Sequence, residues 1–287
     1  MHRSSARWFC SFLVAFTGGC GATRPEPRGV PEMPRPVAVP VPASSPGPWA
    51  FAPAAGTRAY RIWRTASIEG VADSVPRREV VSNFTRQILT LERIGAELGF
   101  KAVIDTFTPA TQGVIGPAQA VELPIQLMGK ADAGGVHIES PPSGSCDATR
   151  AIAATDLYNL LAPFPPELAK GAVWRDSVIV SGCQAGIPTT ATTTRTFTVS
   201  GEVNHAGRSL LLVRRADSVN ARGEGAYGQH RMTVEGAGSG SAFYYLDTTS
   251  GEVFQLTTNQ RSRITVTTSG RRHSFTQTTS QNFVRGR

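Results

Sequence analysis

Beyond residue 57, apolar and polar residues alternate with a period of two over most of the chain. From Arg58 to Ile68, Tyr60, Ile62 and Arg64 share one parity, while Arg61, Trp63 and Thr65 share the other. Side chains on a strand point to opposite faces in turn, so this pattern predicts a strand with one face buried. Glu79 to Leu91 and Phe100 to Thr108 continue the series, followed by Val121 to Gly129 and a short stretch at Val136 to Glu139. Thr85 to Leu98 is open to two readings, because Ile88, Leu91, Ile94 and Leu98 also fit a helical period. We read it as strand.

The clearest helix follows Asp147, a residue suited to accept from the free amides of a first turn. Ile152, Leu157, Leu160 and Leu161 supply its apolar face, and Pro163, Pro165 and Pro166 stop it. A strand through Val173, Trp174, Val178, Ile179 and Val180 comes next. Further strands are predicted at Thr192 to Ser200, Ser209 to Ala216, His230 to Val234, Ala242 to Asp247, Val253 to Gln260, Arg263 to Thr268 and Phe275 to Phe283. Thr249-Ser250-Gly251 and Ser269-Gly270 are the turns between some of them, and the abundant threonines suit strands with one wet face. The fold class is therefore mainly β: a curved antiparallel sheet, a half-barrel or open barrel, with one or two short helices.

The first 56 residues follow different rules. His2, Arg3 and Arg7 precede an apolar run from Trp8 to Phe16, and Gly18 and Gly19 lead to Cys20. A basic start, a short apolar run and small residues at a cleavage point form an export signal, and the run is under half the roughly 20 residues a spanning helix needs. Ten prolines between Pro25 and Pro53 follow, a composition that favours an extended spacer at about 3.1 Å per residue. The expected organisation is a signal peptide over 1–19, a proline-rich tether over 20–56 and a β-rich domain over 57–287.

Phe16-Thr17-Gly18-Gly19-Cys20 resembles the lipobox of bacterial lipoproteins, with Thr17 where that family usually carries Leu. The resemblance implies cleavage after Gly19, lipidation of Cys20 and a stable membrane anchor, since two or more acyl chains hold where one does not. It also implies the outer membrane, facing the periplasm, because Gly21 is not the Asp that retains such proteins in the inner membrane. A soluble secreted or periplasmic protein is the alternative. Export fits the cysteines. With Cys10 removed and Cys20 lipidated, Cys146 and Cys183 are an even pair in an oxidising compartment, and a disulfide between them is expected.

Charge and motifs then exclude more than they assign. The net charge of +8 falls by two, to +6, once Arg3 and Arg7 leave with the signal. Arg261, Arg263, Arg271 and Arg272 form the densest basic group, too sparse and too poor in aromatics for a nucleic-acid partner. Gly223-Glu224-Gly225-Ala226-Tyr227-Gly228 spells a dinucleotide-loop pattern, but a strand-like stretch follows where that mechanism needs a helix. These glycines, with Gly236, Gly238 and Gly240, are read as flexible turns or bulges of a curved sheet. Ser239 has no nucleophile elbow around it, and His137, His205, His230 and His273 stand apart from one another. No pair of histidines has metal-ligand spacing, and Asp105, Asp176 and Asp247 are read as turn residues. Trp174 reads as a packing anchor at a strand start. No cofactor and no catalytic residue is expected.

Pro165-Pro166, Gly171-Ala172-Val173-Trp174, Tyr244-Tyr245-Leu246-Asp247 and Gly251-Glu252-Val253 together resemble uncharacterised bacterial lipoproteins over residues 160–287. More distantly, a strand meander with few helices is similar to the curved half-barrels of lipoprotein carriers. That likeness implies a lipid or another hydrophobic ligand on the concave face. The expected function is a non-enzymatic, membrane-anchored envelope lipoprotein. A structural or assembly partner of the outer membrane is the alternative, and an envelope hydrolase a third.

Overall fold

The computed structural model describes residues 41–42, 47–72, 75–95, 97–112, 122–132, 135–139, 146–184, 187–205, 207–227 and 229–286. The signal peptide, Cys20 and most of the tether lie outside the described residues. In chain order the elements are β1 (Val41–Pro42), β2 (Trp49–Ala50), β3 (Gly56–Ala72), β4 (Val75–Ile94), β5 (Glu97–Gln112), β6 (Ile125–Asp132) and β7 (Gly135–Ile138). They continue with α1 (Ala148–Leu160), β8 (Glu167–Leu168), β9 (Val173–Gln184), β10 (Ile187–His205), β11 (Arg208–Tyr227), β12 (His230–Asp247), β13 (Glu252–Thr268) and β14 (Arg271–Arg285).

All strands but β2 and β8 belong to one antiparallel sheet in the order β9–β10–β11–β12–β13–β14–β3–β4–β5–β6–β7. The two-residue β1 joins β10 at Val203 and Asn204, past the end of its ladder with β9. Pairing of β14 with β3 joins the two halves of the chain, and the sheet curls into a nearly closed, barrel-like shell. Among the described residues β7 lies at one edge and β9, with the short β1 beyond it, at the other, and α1 packs against β9 on one side and β6 and β7 on the other. The expected curved antiparallel sheet is what the chain forms.

Several strands run longer than the pattern suggests. The stretch from Thr85 to Leu98 is strand to Ile94, turns at Gly95 and returns in β5. The segments expected at His230–Val234 and Ala242–Asp247 are one strand, β12, and Val253–Gln260 with Arg263–Thr268 are one strand, β13. The glycines between them are therefore not turns. Gly236, Gly238 and Gly240 pair with Ile264, Ser262 and Gln260, and Gly223 and Gly225 lie inside β11. Gly223, Gly238 and Gly240 are needed for close approach: a Cβ on Gly238 would stand 2.4 Å from the Arg261 carbonyl oxygen, far inside contact distance.

The true turns follow the expected chemistry. Ser269 and Gly270 both have positive φ, the backbone that two-residue hairpins require. Asp247 accepts from the Thr249 and Ser250 amides and so shapes the turn before β13. Asp105 and Asp176 are not turn residues. Asp105 is the extra residue of a bulge, lying between the pairs Gln87–Ile104 and Arg86–Thr106, and it meets Arg86 at 3.4 Å. Asp176 lies inside β9.

One large apolar cluster fills the shell around α1. It takes Tyr60 and Ile62 from β3, Leu89 and Leu91 from β4, Phe197 and Val199 from β10, Leu211 and Val213 from β11, and Tyr244 and Leu256 from β12 and β13. A smaller one, with Ile187, Met232, Val234, Ile264 and Val266, lies toward the far ends of β10 to β13. Residues ahead of position 57 belong to the packed unit as well. Trp49 and Ala50 pair with Leu168 and Glu167, and Phe51 is buried in the main cluster.

Candidate functional site

The inner face of the sheet at α1 is the place where polar chemistry collects. Asp147 caps the helix, accepting from the Thr149 and Arg150 amides, and Cys146, one residue earlier, is disulfide-bonded to Cys183 of β9. Their Cα atoms are 5.3 Å apart, within the usual span of such a bridge. The helix is thereby tied by its N-terminal end to one open edge of the sheet. Arg150 reaches the Gln126 carbonyl of β6 and so leans on the other edge.

Three arginines rise from the inner face to meet the helix. Arg64 of β3 donates to Asp156 at 2.5 Å, both side chains nearly dry. Arg195 of β10 donates to the Tyr158 carbonyl at 2.7 Å and pairs with Asp176 of β9 through both carboxylate oxygens. Arg215 of β11 donates to Asn159 at 2.9 Å and to the Tyr244 hydroxyl at 2.5 Å, and holds Asp217 with an Nε–Oδ1 distance of 2.8 Å. Tyr244 in turn donates to the Asn159 carbonyl at 3.1 Å. Asp156 and Asn159 are on the buried face of the helix, so these polar positions must be answered by polar groups of the sheet.

Burial sets the titration of this layer. Desolvation raises the Asp156 carboxyl above its ordinary value, and the Arg64 guanidinium opposes that rise. Desolvation likewise raises the Tyr244 hydroxyl, against the pull of Arg215 and Arg195. For Arg215, burial disfavours the charge, but Tyr244 and Asp217 outweigh it and the net shift is upward.

Aromatic rings cluster just past the C-terminal end of α1. The Phe164 ring meets Phe51 and Tyr244 edge-on, each at 5.2 Å, and Trp174 stacks on Phe197 at 5.0 Å. Trp174 also donates its indole N–H to the Pro163 carbonyl, so it is the packing anchor expected of it. Nearby, Glu252 is held by Arg58 at 2.7 Å and by Arg285.

A second polar group lies deeper, on β4. Thr85 and Gln87 face inward beside Ile62 and Tyr60 of β3. Gln87 has no exposed surface and Thr85 only 2%, yet the Thr85 hydroxyl, both amide atoms of Gln87 and the second oxygen of Asp156 have no hydrogen-bond partner within the protein. Unpaired buried polar atoms are uncommon and costly, so atoms of this kind are answered by water, an ion or a ligand.

The residues weighed for catalysis are not brought together. Ser239 lies on an exposed position of β12, opposite Ser218 and Arg261. His205 stacks on Tyr245 at 3.8 Å and bonds to Gln255, His137 lies 3.7 Å from Asp132, and His230 bonds to Ser269. Gly223 and Gly225 are in strand, with β12 rather than a helix after the turn. Among the described residues no group of three or more His, Cys, Asp or Glu could hold a metal ion, and no helix is long and apolar enough to cross a membrane. Cys20 lies outside the described residues.

Sequence reading missed the polar layer, although its signals were present. Arg64 shares parity with Tyr60 and Ile62, Arg195 with Phe197 and Val199, and Arg215 with Leu211 and Val213. An arginine on the apolar parity of a strand is a buried charge in search of a partner. On the helix, Ile152 is only half-buried, whereas Asp156 and Asn159 are buried. Comparison with known protein families and with curated proteins finds no match.

Proposed function

We propose that this chain is a lipid-anchored envelope protein, held at Cys20 on the outer membrane and facing the periplasm. Its β-domain is a non-enzymatic binding module for a lipid or other hydrophobic ligand. The observation that carries the ligand reading is the open seam between β7 and β9, spanned by α1. The main apolar cluster of the domain lies against that helix, whose buried residues Ala153, Leu157 and Leu160 belong to it, so a ligand entering by the seam meets apolar side chains with α1 in place. A mouth of an incomplete barrel is a common place for such sites. The likeness to lipoprotein carriers supports the reading as analogy of fold.

Two measurements test it. Native mass spectrometry of the domain purified from the envelope should show a bound amphiphile, and absence of any bound or rebindable lipid would end the ligand reading. Labelled palmitate should enter the wild-type chain and not the Cys20→Ala variant. Equal labelling of both would end the anchor reading.

A second reading has its own observation. Val173 and Ile179 are 60% and 64% exposed on the edge strand β9, as a strand-adding protein partner would require. Crosslinking from Ile179 in cells distinguishes it, through a protein adduct in place of a bound lipid.

A further inference from the structure

We infer that the guest of the lumen carries an uncharged, hydroxyl-bearing head, seated on Thr85, Gln87 and Asp156 beneath α1. This rests on the reading of the lumen as a ligand site.

Register makes these residues one neighbourhood. Thr85 is paired with Ile62, the inner-face residue next to Arg64 along β3, and Arg64 holds Asp156. Gln87 follows Thr85 on the same face of β4, opposite Tyr60 on one side and Ile104 on the other. The β4–β5 bulge falls between Arg86 and Gln87, a device that re-aims side chains beside functional sites.

The unsatisfied atoms define the guest. Arg64 is already used by Asp156, by Asn83 at 3.2 Å and, with the Gln281 amide turned to suit it, by that carbonyl oxygen at 2.6 Å. Its charge is balanced by Asp156. What remains is two acceptors, Gln87 Oε1 and Asp156 Oδ2, one amide donor, Gln87 Nε2, and the Thr85 hydroxyl, which can do either. A carboxylate or phosphate would bring its charge against Asp156, and an ammonium would face Arg64. A hydroxyl donates to one neighbour and accepts from another, and so matches the set. Around it Tyr60, Ile62, Leu89 and Ile104 are buried and apolar, which suits the chain attached to such a head.

The test compares a saturated 1-monoacylglycerol with the fatty acid of the same chain length, by calorimetry and native mass spectrometry. It uses the wild-type protein and the Thr85→Val/Gln87→Leu variant. We expect the wild type to bind the monoacylglycerol about tenfold or more tightly than the fatty acid, and the variant to lose that margin while keeping the fatty acid. Equal binding of both lipids by the wild type would overturn this inference and leave the lumen reading standing. Binding of neither would overturn both. The wild-type comparison decides the matter even if the variant fails to fold, and a folded variant with undiminished preference for the monoacylglycerol would also overturn it.

Discussion

Arg64 of β3 and Asp156 of α1 meet at 2.5 Å inside the barrel, with the aspartate side chain fully buried. This contact ties the helix to the middle of the sheet, on strands that the chain makes some 90 residues earlier. A pair taken wholly out of water is worth little over an apolar replacement, but breaking it leaves a naked charge. Asp156→Ala should therefore cost about 3–5 kcal/mol in denaturant unfolding, and Arg64→Met with Asp156→Leu should recover most of that loss. A double variant as unstable as Asp156→Ala alone would contradict this account of the pair.

The Cys146–Cys183 bridge closes a segment with a sequence separation of 37 and fixes the start of α1 to β9. Reduction, or Cys183→Ser, should lower stability by about 2–4 kcal/mol. Thiol alkylation of the unreduced, unfolded protein should label neither cysteine. Two labelled thiols in envelope-purified protein would show that the bridge does not form there.

Gly238 has the Ser262 Cα at 2.7 Å from where its Cβ would be, in addition to the Arg261 carbonyl. Both obstacles are backbone, which cannot swing away as a side-chain tip can. Gly238→Val should destabilise by at least about 1–3 kcal/mol, the range of overpacking. Gly270→Ala, where nothing lies within 4 Å but φ is +79°, should cost about 1 kcal/mol. Thermal unfolding of the two variants checks the order.

Tyr60 and Tyr244 are both pushed well above the ordinary phenol value, chiefly by burial. A raised folded-state value means their stabilising contribution is complete below about pH 10 and is lost as pH climbs beyond it. In a spectrophotometric titration these two of the five tyrosines should ionise only together with unfolding. Tyr244→Phe should soften the alkaline loss of stability. Smooth ionisation of all five in a folded domain would refute the burial assigned to them.

The period-two pattern made the strand content legible, because alternation follows from backbone geometry alone. Asp147 and the prolines after Leu161 marked the helix by the same local logic. The glycine runs misled, since Gly238 and Gly240 read as turns or bulges until β13 is seen pressed against them. Nothing local separates a glycine that turns the chain from one that makes room for a neighbour.

The sequence by itself determined the strands, the helix, its cap and the pairing of two cysteines, all consequences of short-range preference or of simple counting. Only the tertiary structure decided that β14 joins β3, that α1 spans the open seam, and that Arg64, Arg195 and Arg215 converge on it. Those are partnerships between residues far apart in the chain. A buried arginine shows in sequence that a partner must exist, but which carboxylate or carbonyl answers it depends on how the sheet curls.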